Sequence, residues 1–282
     1  LYKINPTSGV VTATYTAGSS LNTPVLLVGS FAYVVSDSGQ LHKVNLSTMT
    51  AAWVYSSNGP VATPPSYSAS RDAIIFATND LFVHAVNNAT GALKWRVKPT
   101  PNTAGFPNEF DGYWPVIAEQ HGLVFVRMRL NHDQGLWGGP GKSGTYPNTN
   151  AETRTFLQTN PTLKNLFALS LDTGAEAFVP AVGYGGTEAL VNSLPYLDVG
   201  PVPVVKILPG NIEVAYMMFR NGQSAPPDGR WDSHMGEMVL DNTTVPGLVA
   251  GDLRFVSFPN STMKVTDEQT PFTMAGNTLF RA

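Results

Sequence analysis

The chain has 282 residues, of which 43% are apolar and only 13% charged, with a formal net charge of −3. Soluble domains carry about 25% charged residues, and disorder pairs low hydrophobicity with high net charge, so a folded chain is expected. Near-neutrality removes the electrostatic basis for a nucleic-acid or anionic-membrane partner. The lack of cysteine removes disulfides, Cys-zinc sites, iron–sulfur clusters and thiol catalysis.

Residues 1–16 read as two short strands around the turn Asn5 to Gly9. Residues 21–56 read as four, at Leu26–Val28, Phe31–Val35, Leu41–Val44 and Ala52–Tyr55, parted by Gly29-Ser30, Asp37 to Gly39 and Asn45 to Thr50. Residues 61–98 repeat that plan at Pro65–Ser68, Ala73–Ala77, Phe82–Val86 and Leu93–Val97. A third unit, 115–180, has strands at Val116–Ala118, Leu123–Met128, Leu166–Leu169 and Glu176–Val179. It is interrupted by an insertion at 131–164, in which Ala151 to Leu163 predicts one short helix. A fourth unit, 202–258, is followed by 270–282, where Thr270 to Arg281 resembles the opening of the first unit, Thr23 to Tyr33. No apolar run approaches the ~20 residues that a membrane-spanning helix requires.

The units share a spacing. Lys3, Lys43, Ala85 and Ala168 fall at equivalent points of Tyr2 to Gly9, His42 to Thr48, His84 to Gly91 and Phe167 to Gly174, with offsets of 40, 42 and 83 residues. Strand-rich repeats of about 40–50 residues predict an all-β propeller of four-stranded antiparallel blades. In each repeat a short polar residue, Asn87 for example, can start a tight turn that Gly91 completes at positive φ. Four residues after Gly91 comes Trp95; Ala13, Trp53 and Phe178 occupy that slot elsewhere. Large rings there would be buried between neighbouring blades.

The pattern Ala85, Asn87, Thr90, Gly91, Trp95 resembles the repeat of pyrroloquinoline-quinone-type propellers, the quinoprotein alcohol dehydrogenase-like superfamily. Ala168, Thr173, Gly174 and Phe178 match with an aromatic exchange. The resemblance implies a ring of seven or eight blades, of which this chain would be part. Alternatively, the two half-blades join, Tyr2–Ile4 pairs with Asn277–Arg281, and five blades close. The resemblance also implies pyrroloquinoline quinone and calcium as cofactors in those members that are dehydrogenases. The family's vicinal disulfide has no counterpart here, and no acidic run matches its calcium ligands, so the residues themselves predict no cofactor.

Three places hold chemistry-bearing side chains. Glu109, Asp111 and Trp114 stand just before an innermost strand, near one axial mouth, where carboxylates beside aromatic faces suit a sugar or a hard cation. A polar inter-blade loop is the plainer reading. His132 opens the insertion, whose Gly-Lys-Ser lacks the glycine spacing of a phosphate loop. A lid over the mouth or a surface excursion fits it better. Asp232 and His234 alternate on one strand face, but metal binding requires further converging groups. His42 and His84 recur at like positions, which points to structure. Four sequons, at Asn45, Asn88, Asn242 and Asn260, together with scarce charge, predict a secreted or extracellular glycoprotein.

The leading functional expectation is a non-catalytic scaffold presenting loops to a protein or glycan partner. The alternatives are a quinone-dependent dehydrogenase of an alcohol or sugar, and a calcium- or glycan-binding propeller.

Overall fold

The computed structural model describes residues 1–110, 112–131, 147, 149–183, 186–188, 197–219, 234–255, 273–276 and 278–280. Its architecture is an arc of antiparallel blades in a β-propeller arrangement. A leading pair, β1 (Tyr2–Ile4) and β2 (Val11–Thr14), is followed by blade one: β3 (Leu26–Val28), β4 (Phe31–Ser36), β5 (Gln40–Asn45) and β6 (Thr50–Ser56). Blade two is β7 (Ser66–Ser68), β8 (Ala73–Ala77), β9 (Val83–Asn87) and β10 (Leu93–Val97). In both, strands pair in sequence order, as short turns between consecutive strands favour.

Blade three is elaborated. The short β11 (Glu109–Phe110) precedes β12 (Val116–Ala118), and β13 (Leu123–Asn131) runs to nine residues. Helix α1 (Asn150–Thr159) and a 3-10 turn (Pro161–Leu163) come before β14 (Leu166–Ser170) and β15 (Glu176–Phe178). The far end of β13 leaves the blade and pairs instead with β11 and with β17 (Leu197–Val199), which pairs with β16 (Gly186–Glu188). Blade four is β18 (Val204–Leu208), β19 (Ile212–Phe219), β20 (His234–Met238) and β21 (Leu253–Phe255). A last pair is β22 (Thr273–Ala275) with β23 (Thr278–Phe280). Among the described residues β1 pairs with β2 and β23 with β22, not with each other.

The core lies between blades. Strand β8 is buried on both sides because its side chains alternate. Ile74 and Phe76 meet Tyr33, Val35 and Leu41 of blade one, while Ala73, Ile75 and Ala77 join Val124, Val126 and Phe167 of blade three. Phe125 and Ala168 face the other way, against Ala215, Met217 and Phe219 of blade four. Middle strands therefore read as continuous apolar runs.

The innermost strands β3, β7, β12 and β18 stand side by side around the axis. Each has one edge without a strand partner among the described residues. Pro24, Pro65 and Pro115 lie just ahead of β3, β7 and β12 and have no N–H to leave unpaired there.

Candidate functional site

The repeat motif builds one turn four times. In each case the residue four places on donates its N–H to the backbone oxygen of the starting residue: Gly9 to Asn5, Met49 to Asn45, Gly91 to Asn87 and Gly174 to Ser170. The starting side chain also accepts from the backbone inside the turn, as Asn87 Oδ1 does from Thr90 N–H at 2.9 Å. All four closing residues have positive φ, including the non-glycine Met49 at 53°.

These turns hold the joints between blades. Trp53 lies over Gly91, where an added Cβ would stand 2.8 Å from the indole, and its Nε1–H donates to Asn88 O at 3.0 Å. Trp95 repeats the arrangement on Gly174, at 2.6 Å, and donates to Leu171 O at 2.8 Å. Phe178 lies over Gly251. In the first joint the sizes are exchanged. Register pairs Ala13 with Lys3 as it pairs Trp53 with Lys43, and the closing residue is the buried Met49.

A polar network threads the joint between blades one and two. Lys43, 7% exposed, donates from Nζ to Asn88 O at 2.8 Å and Oδ1 at 3.1 Å, and faces the Phe31 ring at 4.2 Å. Tyr33 donates to Asn88 Oδ1, and Asn88 Nδ2 donates to Asp72 at 2.6 Å. Burial, with Asp72 and Tyr67 nearby, pushes the Tyr33 phenol up to about 12. Burial also lowers Lys43, which Asp72 partly offsets. The side-chain amide of the Asn88 sequon is therefore engaged at both its oxygen and its nitrogen within the joint. Asn45 holds its turn through Oδ1, and Asn242 is exposed, with Oδ1 accepting from Ala250 N–H at 2.9 Å. Asn260 lies outside the described residues.

Along the axis, β3, β7 and β12 line an open groove of about 750 Å³. Its wall includes Val25, Leu27, Tyr67 and Trp114, and Trp114 and Leu27 are 51% and 63% exposed. At the mouth, the Trp114 ring stands 5.5 Å from that of Tyr113, which carries the Arg127 guanidinium 4.1 Å above its centroid. Arg127 also donates to Gly200 O at 3.2 Å. Glu109, on β11, lies opposite Arg129, and the two charges are 4.0 Å apart.

Trp114 thus lines the groove and Glu109 lies on β11 against Arg129, whereas Asp111, His132 and Asp232 lie outside the described residues. His234 opens β20 in blade four. The described part of the insertion is docked rather than free. Asn150 makes two hydrogen bonds to the Leu253 backbone, at 2.9 and 3.1 Å, and Arg154 pairs with Asp252. Sequence reasoning missed a further cluster: His121 lies between Glu213 (2.8 Å) and Asp241 (3.2 Å), bridging blades three and four. Nothing in residue spacing joins 121, 213 and 241.

The donor set bears on the cofactor. A calcium-held quinone requires converging oxygen ligands beside a free aromatic face. Trp114 offers a face. Glu109, however, pairs with Arg129, and Asp241 takes N–H and O–H groups from Thr243 and Thr244, which hold its carboxyl well below the usual range. No three His, Cys, Asp or Glu residues converge for a metal among the described residues. These residues do not fit the group, and no redox step is assigned to them.

The family model that matches residues 1–178 is described as outer membrane protein assembly factor BamB. This chain belongs to that family. As a BamB-family member it carries the pyrroloquinoline-quinone-type repeat that Asn87 to Trp95 display. No curated protein matches it by sequence. Among solved structures it is similar to BamB from Moraxella catarrhalis, at 14% identity and TM-score 0.44, over 96% of this chain and 69% of that one. It is also similar to quinohemoprotein alcohol dehydrogenase ADHIIG from Pseudomonas putida HK5, at 12% identity and TM-score 0.48, over 84% of this chain and 37% of that one. The enzyme from Comamonas testosteroni matches at 12% identity and TM-score 0.47, over 91% and 42%. The chain thus spans less than half the length of these dehydrogenases.

Proposed function

We propose that this chain is a non-catalytic binding propeller of a secreted or extracellular protein, receiving a protein partner at the axial mouth. The observation that carries the reading is the exposed apolar wall of Val25, Leu27 and Trp114, in a groove whose described lining contains no charged residue. Exposed apolar surface beside a polar rim is what protein recognition uses. A family described as an assembly factor supports the same choice of partner class. Secretion rests on the sequons, of which the one at Asn242 is exposed.

The test has two arms. The full-length protein is assayed for dye reduction with added pyrroloquinoline quinone, calcium and a panel of alcohols and aldoses. No turnover is expected, and sustained turnover overturns the reading in favour of a dehydrogenase. Because the chain has no cysteine, Trp114→Cys supplies a single thiol for a photo-crosslinker. Adducts at this position, lost when Leu27→Asp is added, are expected in native extracts.

A further inference from the structure

Two joints contain a buried histidine facing a tyrosine of the preceding strand pair or blade. His42 Nδ1 lies 2.8 Å from Tyr15 OH and His84 Nδ1 lies 3.0 Å from Tyr55 OH, both edge-to-face. His84 is fully buried and stacks on Phe76 at 5.1 Å; His42 is 3% exposed. The hydrogen-bond network assigns the His84 tautomer. The one hydrogen of Thr78 Oγ1 is taken up by the Asp80 carboxylate and Phe82 O, so that oxygen accepts from His84 Nε2–H at 3.3 Å. Nδ1 is then bare and accepts from Tyr55. Protonating Nδ1 would make it a donor, so the Tyr55 hydroxyl would have to turn and accept, losing Nδ1 as the acceptor for its own hydrogen.

In His42 the other nitrogen, Nε2, is buried with no hydrogen-bond partner, so an imidazolium there would carry a buried N–H with no acceptor. At the third joint the equivalent pair is Val97 and Phe167, packed in one apolar cluster. That joint contains nothing to titrate at this point.

We propose that the Tyr15–His42 and Tyr55–His84 contacts make the first two joints acid-labile, while the third, closed by Val97 and Phe167, stays shut. The charged and titratable groups facing His84 are Tyr55 from β6, Asp80 from the turn before β9, and Arg96 opposite it on β10; Tyr15 faces His42. Burial, helped by Arg96 and opposed by Asp80, lowers His84 to about 4, and burial lowers His42 as well. Both shifts are downward, so the closed joints are favoured fully above the ordinary pKa of 6.5. Their advantage is lost as pH falls from there toward 4.

Hydrogen exchange, corrected for the intrinsic rate at each pH, reads the opening directly. Between pH 7.5 and 4.5 the opening constant of the β6 amides should rise on the order of a hundredfold, and that of β14 far less. The double variant Tyr55→Val/His84→Phe copies the third joint into the second and should flatten the β6 response. An unchanged β6, a rise shared equally by β14, or the same rise in the variant overturns the proposal. Should the variant not fold, the imidazole Cε1–H resonance of His84 in the unmodified protein decides. It should keep its neutral position down to pH 5 while the joint is closed; titration near 6.5 in the closed protein overturns the proposal.

Discussion

The joint between blades two and three and the joint between blades three and four meet one packing requirement with different parts. In the first, Trp95 fills the space over Gly174 and its indole N–H reaches Leu171 O, so a single side chain supplies both packing and a hydrogen bond. In the second, Phe178 supplies a ring over Gly251 and nothing polar. The missing hydrogen bond is offset elsewhere, by His121 between Glu213 and Asp241 and by α1, whose Asn150 and Arg154 hold residues 252 and 253. A repeat can thus lose a motif residue and keep its geometry when inserted chain takes over the contact.

The largest break in that contrast comes from Trp95→Ala. It should cost about 3–5 kcal/mol in chemical denaturation, because it empties a buried ring site and leaves Leu171 O without its donor. Trp95→Phe converts this joint to the composition of the next and should cost only about 1–2 kcal/mol. Equal losses for the two variants would mean that the ring contributes little. Gly174→Ala should destabilise by roughly 2–3 kcal/mol, since its φ is +73° and the new methyl meets the Trp95 indole. A neutral result in thermal melts would show that Trp95 is free to move aside.

The motif residues were legible because their work is local. Asn87 and Gly91 shape their own turn, and a strand–turn–strand rhythm repeats closely enough to be counted. What those turns touch was not legible. Asn88 sits one residue inside the motif, yet its partners Tyr33, Lys43 and Asp72 come from three other stretches of chain brought together by stacking. The helix in the insertion was legible only as a short stretch within Ala151 to Leu163; the reciprocal cap of Thr149 and Glu152 that starts it was there to be read and was not. The helix's docking on blade four was not legible, because Asn150 recognises the Leu253 backbone and leaves no side-chain signature there. For the candidate site, the sequence singled out Glu109 and Trp114, while Arg127, which engages Tyr113, was read only as part of a strand, and Arg129, which engages Glu109, lay beyond the strand's expected end at Met128.

A smaller effect sharpens the role of that helix. Asn150→Ala removes both hydrogen bonds to Leu253 and should cost about 1–2 kcal/mol, with faster exchange confined to β21. Exchange unaltered in β21 would assign the clamp to Arg154 alone. Smallest of all, Arg71→Ala removes a pair with the largely exposed Asp172, at 3.2 Å across the joint between blades two and three. It should shift stability by less than about 1 kcal/mol, less still at high salt. A larger loss would reveal that its bond to Glu119 O matters more than the ion pair.

The exchange of sizes at the first joint has a consequence for the order of the blades. Ala13 stands where later joints have an aromatic ring, and the buried Met49 closes its turn where Gly91 and Gly174 close theirs. A blade ending in Trp53 accepts a neighbour whose turn closes with glycine and refuses one that closes with methionine. Strand pairs that share a backbone plan are therefore not interchangeable bricks. Each carries an address on one side and a lock on the other, and the sequence of residues 13, 49, 53 and 91 spells out which neighbour belongs next.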